Sequence, residues 1–216
     1  DNAHACFSWV QKAMNSTTTS FLTTGGVRGG TEKIGKFQPR SFNMGLSKKA
    51  FEASGGFGNI HPGEDPDLAI RLWKLGYKTK LFSDSYVFHK RRIDFSKFYK
   101  QVNKFGKARP ILDSWYPKYS KITFWMPTLF LLGMVVSILL YVFGFTIPVK
   151  VYMAYFLILF WIASIETMSL WIGFLSVFAA FFQFFGYGIG FFSSFIKVRL
   201  LKQKPEIAFP ELFFKK

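Results

Sequence analysis

Three carboxylates crowded into four positions are the residues of this chain best placed to do chemistry. Glu64, Asp65 and Asp67 sit in the run Gly63-Glu64-Asp65-Pro66-Asp67-Leu68, followed by Arg71 and preceded by the glycine-rich Gly55-Gly56-Phe57-Gly58. Pro66 suits the first position of a helix, where its missing N–H costs nothing, and this makes Asp65 the N-cap. A carboxylate there has two readings. It caps the helix, worth about 0.5–2 kcal/mol. Alternatively the helix dipole orients it and keeps it ionised, so that it takes a proton from an attacking hydroxyl as a general base. Glu64 and Asp67 add negative charge, and one of the three is a candidate structural partner for Arg71.

The elements that must position these groups follow from pattern. Ser41 to Leu46 reads as a short strand, and Ser47 caps a helix over Lys48–Glu52. Gly55-Gly56 ends that helix, because glycine takes the left-handed conformation cheaply. Leu68, Leu72 and Leu75 form one stripe of the next helix, and Gly76 stops it. Lys78–Phe82 alternates like a strand, and Tyr86-Val87-Phe88 is a second short candidate. Nearer the start, Phe7–Met14 is a helix candidate and Ser16-Thr17-Thr18-Thr19-Ser20 reads as loop or strand edge. Gly25-Gly26 and Gly29-Gly30 mark turns whose spacing fits no phosphate-binding loop.

Charge divides the chain of 216 residues sharply. Up to Lys121 there are 21 Lys/Arg and 9 Asp/Glu, whereas Ile122–Ile196 holds only Lys150 and Glu166. Phe124–Phe145 is 22 residues without a charge, long enough to span a membrane, and Val151–Ile165 and Thr167–Ile196 are further apolar stretches. Three spans is the simple count. It places the basic tail (Lys197, Arg199, Lys202, Lys204) opposite the basic N-terminal part, against the positive-inside bias, unless one stretch is re-entrant. Glu166 lies at the join of the last two stretches, either as an intramembrane functional carboxylate or at the membrane surface. Asp94–Arg109 reads as an amphipathic helix ended by Pro110, with Phe95, Phe98, Val102 and Phe105 on one face and lysines interleaved. Such a helix before a span is interfacial, lying on anionic headgroups, and this explains the charge without nucleic acid. Cys6 is a single cysteine, which fits a cytosolic face and suggests packing more than chemistry.

These residues also carry a resemblance. Asn43-Met44-Gly45 through Phe57, then Gly63 to Arg71 and Gly76-Tyr77-Lys78, resemble the second half of family 2 glycosyltransferases of GT-A fold. Lys100-Gln101 and Phe105-Gly106-Lys107-Ala108-Arg109 before the spans, with Gly186-Tyr187-Gly188-Ile189-Gly190 near the end, look like the membrane-anchored, succinoglycan-type branch. The resemblance covers about Phe42 to Leu200. It implies inverting transfer of a sugar from a nucleotide-sugar donor to an acceptor hydroxyl, on a saccharide or lipid-linked saccharide for cell-surface polysaccharide. Asp65 is then the base beside Glu64, and Gly55, Gly56 and Phe57 line the acceptor side. His89 faces the metal or the diphosphate, with Lys90, Arg91 and Arg92 neutralising the leaving group. Gln101 and Arg109 are possible contacts to acceptor or diphosphate.

Two departures qualify that expectation. Gln101-Val102-Asn103-Lys104-Phe105 only echoes the Gln-x-x-Arg-Trp of processive relatives, which argues for addition of single sugars. No Asp-x-Asp in the family's context precedes Asn43, so the main ligands of a divalent cation (Mg or Mn) and the nucleotide-binding half are expected outside these residues. These 216 residues alone are therefore expected to be inactive, a fragment of a longer chain.

The expected architecture is α/β, a partial GT-A fold with a mixed sheet over 1–93. A basic interfacial helix and linker over 94–121, a transmembrane helical region of two to three spans over 122–196 and a basic tail over 197–216 complete it. The expected location is a bacterial cytoplasmic membrane, with the catalytic part facing the cytoplasm. The rival readings are a non-enzymatic scaffold that binds anionic membrane lipid and, on Glu166 alone, a transporter subunit.

Overall fold

The computed structural model describes residues 4–25, 37–82 and 87–214. Its elements are helices: α1 Trp9–Thr19, α2 Phe21–Thr24, α3 Lys48–Ala53, α4 Glu64–Lys74, α5 Phe95–Trp115, α6 Met126–Val142, α7 Ile147–Thr167, α8 Leu170–Ser194 and α9 Pro205–Ala208. A π-helical turn, Phe195–Leu200, prolongs α8.

The expected mixed sheet is overturned. Among the described residues no strand forms, and the only ladder contact is one isolated antiparallel bridge between Ile60 and Phe213. A strand needs a neighbour to take its backbone groups, and short pairs alone are marginal in water. Ser41–Asn43 instead makes a 3₁₀ turn. Lys78–Phe82 is irregular and is held through a side chain: Trp73 Nε1 donates to Thr79 Oγ1 at 3.1 Å, and Thr79 Oγ1 donates to the Phe37 carbonyl at 2.6 Å. Tyr86 lies outside the described residues, as do Gly26, Gly29 and Gly30.

The stretch Ser16–Thr19 read as loop is the second half of α1, opened by a reciprocal capping box between Ser8 and Gln11. Tertiary contacts and back-bonding hydroxyls override the weak helix propensity of threonine. Thr18 and Thr19 donate to the carbonyls of Met14 and Asn15, each at 2.8 Å, and Thr17 donates to Ser176 O on α8 at 3.0 Å.

Three helices are long and apolar enough to cross a membrane: Ile122–Val142, Ile147–Thr167 and Leu170–Leu200. The last is the organising element. The apolar face of α5 packs along it, with residues rising together on both helices. Backbones approach closely where small residues meet. A Cβ on Gly106 would stand 2.2 Å from Tyr187 O, and one on Gly190 would stand 2.3 Å from Asn103 O. Lys97, Lys100 and Lys104 remain on the exposed side. Pro110 does not end α5, as its missing N–H predicts. The helix runs on to Trp115 because Pro110 is buried and the Arg109–Asp113 ion pair, 3.0 Å, straddles it. Glu166 sits exposed one residue before the end of α7, with Ser16 Oγ 3.5 Å from its carboxylate.

Candidate active site

α3 is capped as its sequence predicts, with the Ser47 hydroxyl accepting from Ala50 N–H at 3.2 Å. Its exit uses the two glycines in left-handed conformation, φ +74° at Gly55 and +69° at Gly56. The loop that follows is tied to α4. Arg71 donates to the Ser54 carbonyl, and Gly58 lies so close to Asp67 that a Cβ there would stand 2.5 Å from its Oδ2. Gly56 is buried under the Phe51 ring, while Phe57 is exposed and meets Phe51 edge-on, with ring centroids 5.9 Å apart.

α4 begins two residues earlier than expected. Gly63, at φ +129°, is the cap, which puts Asp65 and Pro66 within the first turn. Pro66 still costs no hydrogen bond, since the first turn's N–H groups have no intrahelical partner. Glu64 folds back to accept from Gly63 N–H at 2.9 Å and stands 3.1 Å from His61 Nδ1.

The three carboxylates have separate settings. Both oxygens of Asp67 are engaged: Oδ2 accepts from Arg71 at 2.7 and 3.2 Å, and Oδ1 accepts from the Tyr116 hydroxyl at 2.6 Å. Burial, then this bond and the charge of Asp67, push the Tyr116 phenol up to about 12. Asp67 is therefore the partner of Arg71. Asp65 is also buried; its Oδ1 accepts from Ser41 N–H at 3.0 Å, and the Ser41 side chain bonds it as well. Burial raises its pKa and the negative Glu64 adds to the rise, while the Ser41 bonds and the Arg40 charge oppose it. The result is an oriented carboxylate, more basic than usual, held by Ser41.

Other predicted residues fall at different distances from this centre. His89 comes close to it, its ring 4.2 Å from that of Phe42, the neighbour of Ser41. Lys90 is exposed. Arg91 turns toward α1, donating to Asn15 Oδ1 at 3.0 Å while its carbonyl accepts from Gln11 at 2.8 Å. Gln101 is half-buried on α5. Arg109 belongs to a separate cluster: it pairs with Asp113, donates to Tyr119 O at 3.2 Å and lies 3.6 Å over the Phe124 ring. Among the described residues no three His, Cys, Asp or Glu side chains gather to hold a metal ion.

Arg40, Ser41, His61 and Tyr116 complete the setting, and the local spacing pointed to none of them. Arg40, Ser41 and Tyr116 reach the carboxylates from other parts of the chain, so only the folded chain reveals them, while His61 lies in the turn just before α4.

A buried carboxylate in the first turn of a helix, joined to apolar helices long enough to cross a membrane, points to a membrane-associated protein. The family model described as "Glycosyl transferase family group 2" matches residues 41–185, so the chain belongs to that family. It is thus a transferase of sugars. No curated protein and no solved structure matches the chain.

Proposed function

We propose that the protein adds a sugar from a nucleotide-sugar donor to an acceptor hydroxyl with inversion, and that Asp65 is the base. The observation that carries this reading is the contrast within one helical turn. Asp67 is committed to an ion pair with Arg71 and a bond from Tyr116, whereas Asp65 is buried, raised in pKa and hydrogen-bonded by Ser41. Asp65 removes the proton from the acceptor O–H. The acceptor oxygen forms its bond to the anomeric carbon as the bond from that carbon to the diphosphate oxygen breaks, and the electron pair leaves on the diphosphate. Burial and the charge of Glu64 keep Asp65 basic, while the Ser41 bonds and the Arg40 charge oppose that rise. The Gly55–Phe57 loop, held against α4 by Arg71, flanks the acceptor side.

The apolar helices beside this site favour a lipid-linked saccharide as acceptor and a cytoplasmic-membrane setting, with the basic α5 face toward the cytoplasm. The described residues do not fit a divalent-ion site, and no step above runs through one.

Asp65→Asn in the membrane-embedded enzyme tests the assignment. Transfer should fall by about 10²–10⁴-fold, the usual worth of a general base, while binding of the nucleotide-sugar is kept. A variant that transfers at the parent rate refutes it.

A further inference from the structure

The turn that leads into the carboxylates is held by the far end of the chain. Ile60 and Phe213 form the antiparallel bridge. His61 N–H donates to Leu212 O at 2.7 Å, and Phe214 N–H donates to Asn59 O at 3.2 Å. Those two bonds lie on either side of the Ile60–Phe213 pair, the close, non-hydrogen-bonded kind of antiparallel pairing. Behind the backbone, Leu212 and Phe209 are buried in one cluster with Ile60, Ala108, Ile111 and Val198.

Charge fastens the same segment to α5. Glu211 accepts from Lys107 Nζ at 2.9 Å. Burial pushes its carboxyl up, but the hydrogen bond and charge of Lys107 outweigh this and hold it below the ordinary range. The ammonium groups of Lys107 and Lys197 lie 5.3 and 5.0 Å from the centre of the Phe209 ring. The held turn is the one that aims the site. His61 contacts Glu64, and the Ile60 side chain lies beside Gly63, 3.4 Å from where a Cβ would stand.

We propose that Phe209–Phe214 is a strap that positions the Asn59–Asp65 turn, with Leu212 and Phe213 as positioning residues for the carboxylates. Trp125, at the start of the first apolar helix, packs on Phe191 and Phe195 at the end of the last, with ring centroids 4.8 and 4.6 Å apart. Arg199, after α8, donates to Asp113 O on α5 at 3.4 Å, so the basic residues at the two ends lie together, the grouping the positive-inside bias favours.

The catalytic consequence rests on the glycosyl-transfer reading; the contact does not. Ile60→Cys with Phe213→Cys, in a Cys6→Ser background, should form an intramolecular disulfide when the membrane-embedded enzyme is oxidised with copper phenanthroline, because such paired positions meet the distance a disulfide needs. Absence of that disulfide overturns the strap. Leu212→Asp should speed hydrogen exchange of the His61 amide at least about tenfold, and unchanged exchange also overturns it.

For catalysis, membranes are offered labelled UDP-, GDP- and dTDP-hexoses, and the donor whose transfer depends on Asp65 is used. Leu212→Asp should lower kcat about tenfold or more with KM for that donor unchanged, and Leu212→Ile should restore it. An unchanged kcat alongside faster exchange refutes the positioning role. No transfer from any donor by the full-length parent enzyme, nucleotide-binding half included, sinks the transfer reading, while the disulfide and the exchange rate still decide the strap.

Discussion

The start of α4 and the interior of α5 each hold a buried aspartate whose pKa burial raises, and they use it differently. At Asp113 both oxygens are answered: Arg109 Nε donates to Oδ1 and Ser120 Oγ to Oδ2, each at 3.0 Å. At Asp65 the bonds come from Ser41, through its backbone N–H at 3.0 Å and its side chain. Burying a charge is costly in either place. In the first, the cost fixes geometry, joining α5 to the turn before the apolar helices. In the second, bonds from the neutral Ser41 leave the raised pKa in place. A guanidinium bonded to the carboxylate, more than burial or pKa alone, separates the structural aspartates from the proposed base.

The sharpest way to break this comparison is to remove a partner on the saturated side. Arg109→Met leaves Asp113 buried without its cation and should cost about 3–5 kcal/mol of stability, read as a lower melting temperature in detergent. Asp65→Asn should move stability the other way. A carboxyl whose folded pKa lies above its unfolded value contributes stability below the unfolded pKa and loses it as pH rises through the folded one. An amide at 65 escapes that loss, so this variant should melt at or above the parent temperature at neutral pH. A clear drop would mean that Asp65 is structural too.

Next in size are shifts of the acid limb of kcat/KM, which reports the ionisation of the free enzyme's base. In the parent this limb should lie above the ordinary carboxylate range near 4, because Asp65 is raised. Glu64→Gln removes a negative neighbour and should move the limb to lower pH. Arg40→Gln removes a positive one and should move it to higher pH. Shifts of the opposite sign would show that another group carries the limb.

The smallest effect expected is at Tyr116. Tyr116→Phe deletes the hydroxyl that bonds Asp67 and should cost about 1 kcal/mol of stability, with transfer nearly unchanged because Arg71 still holds Asp67. A loss of transfer as large as that of Asp65→Asn would place Asp67 in the chemistry instead.

What could be read from the sequence was what is set locally. The Ser47 cap and the Gly55-Gly56 exit depend on adjacent residues, and the apolar helices depend on composition over some twenty positions, so each was visible. α4 was misplaced by two residues because Gly63 and Glu64 cap it together. The strands failed because alternation says nothing of whether a neighbour exists to pair with, and Thr79 found a side chain instead. The threonine run of α1 and the passage of α5 through Pro110 were hidden for the converse reason. Contacts with α8 and an ion pair across the proline decide them. Of the site, the carboxylates were visible, but Arg40, Ser41, Tyr116 and the tail reach them from elsewhere in the chain.

The central claim is that Asp65, and not its neighbour two residues on, takes the acceptor's proton. Initial rates of sugar transfer by Asp65→Asn and Asp67→Asn, each normalised to folded enzyme in the membrane, test it most directly. The expected result is a loss of about 10²–10⁴-fold at 65 and less than about tenfold at 67, where the missing charge weakens only a structural pair. Equal losses, or the larger loss at 67, would contradict the account.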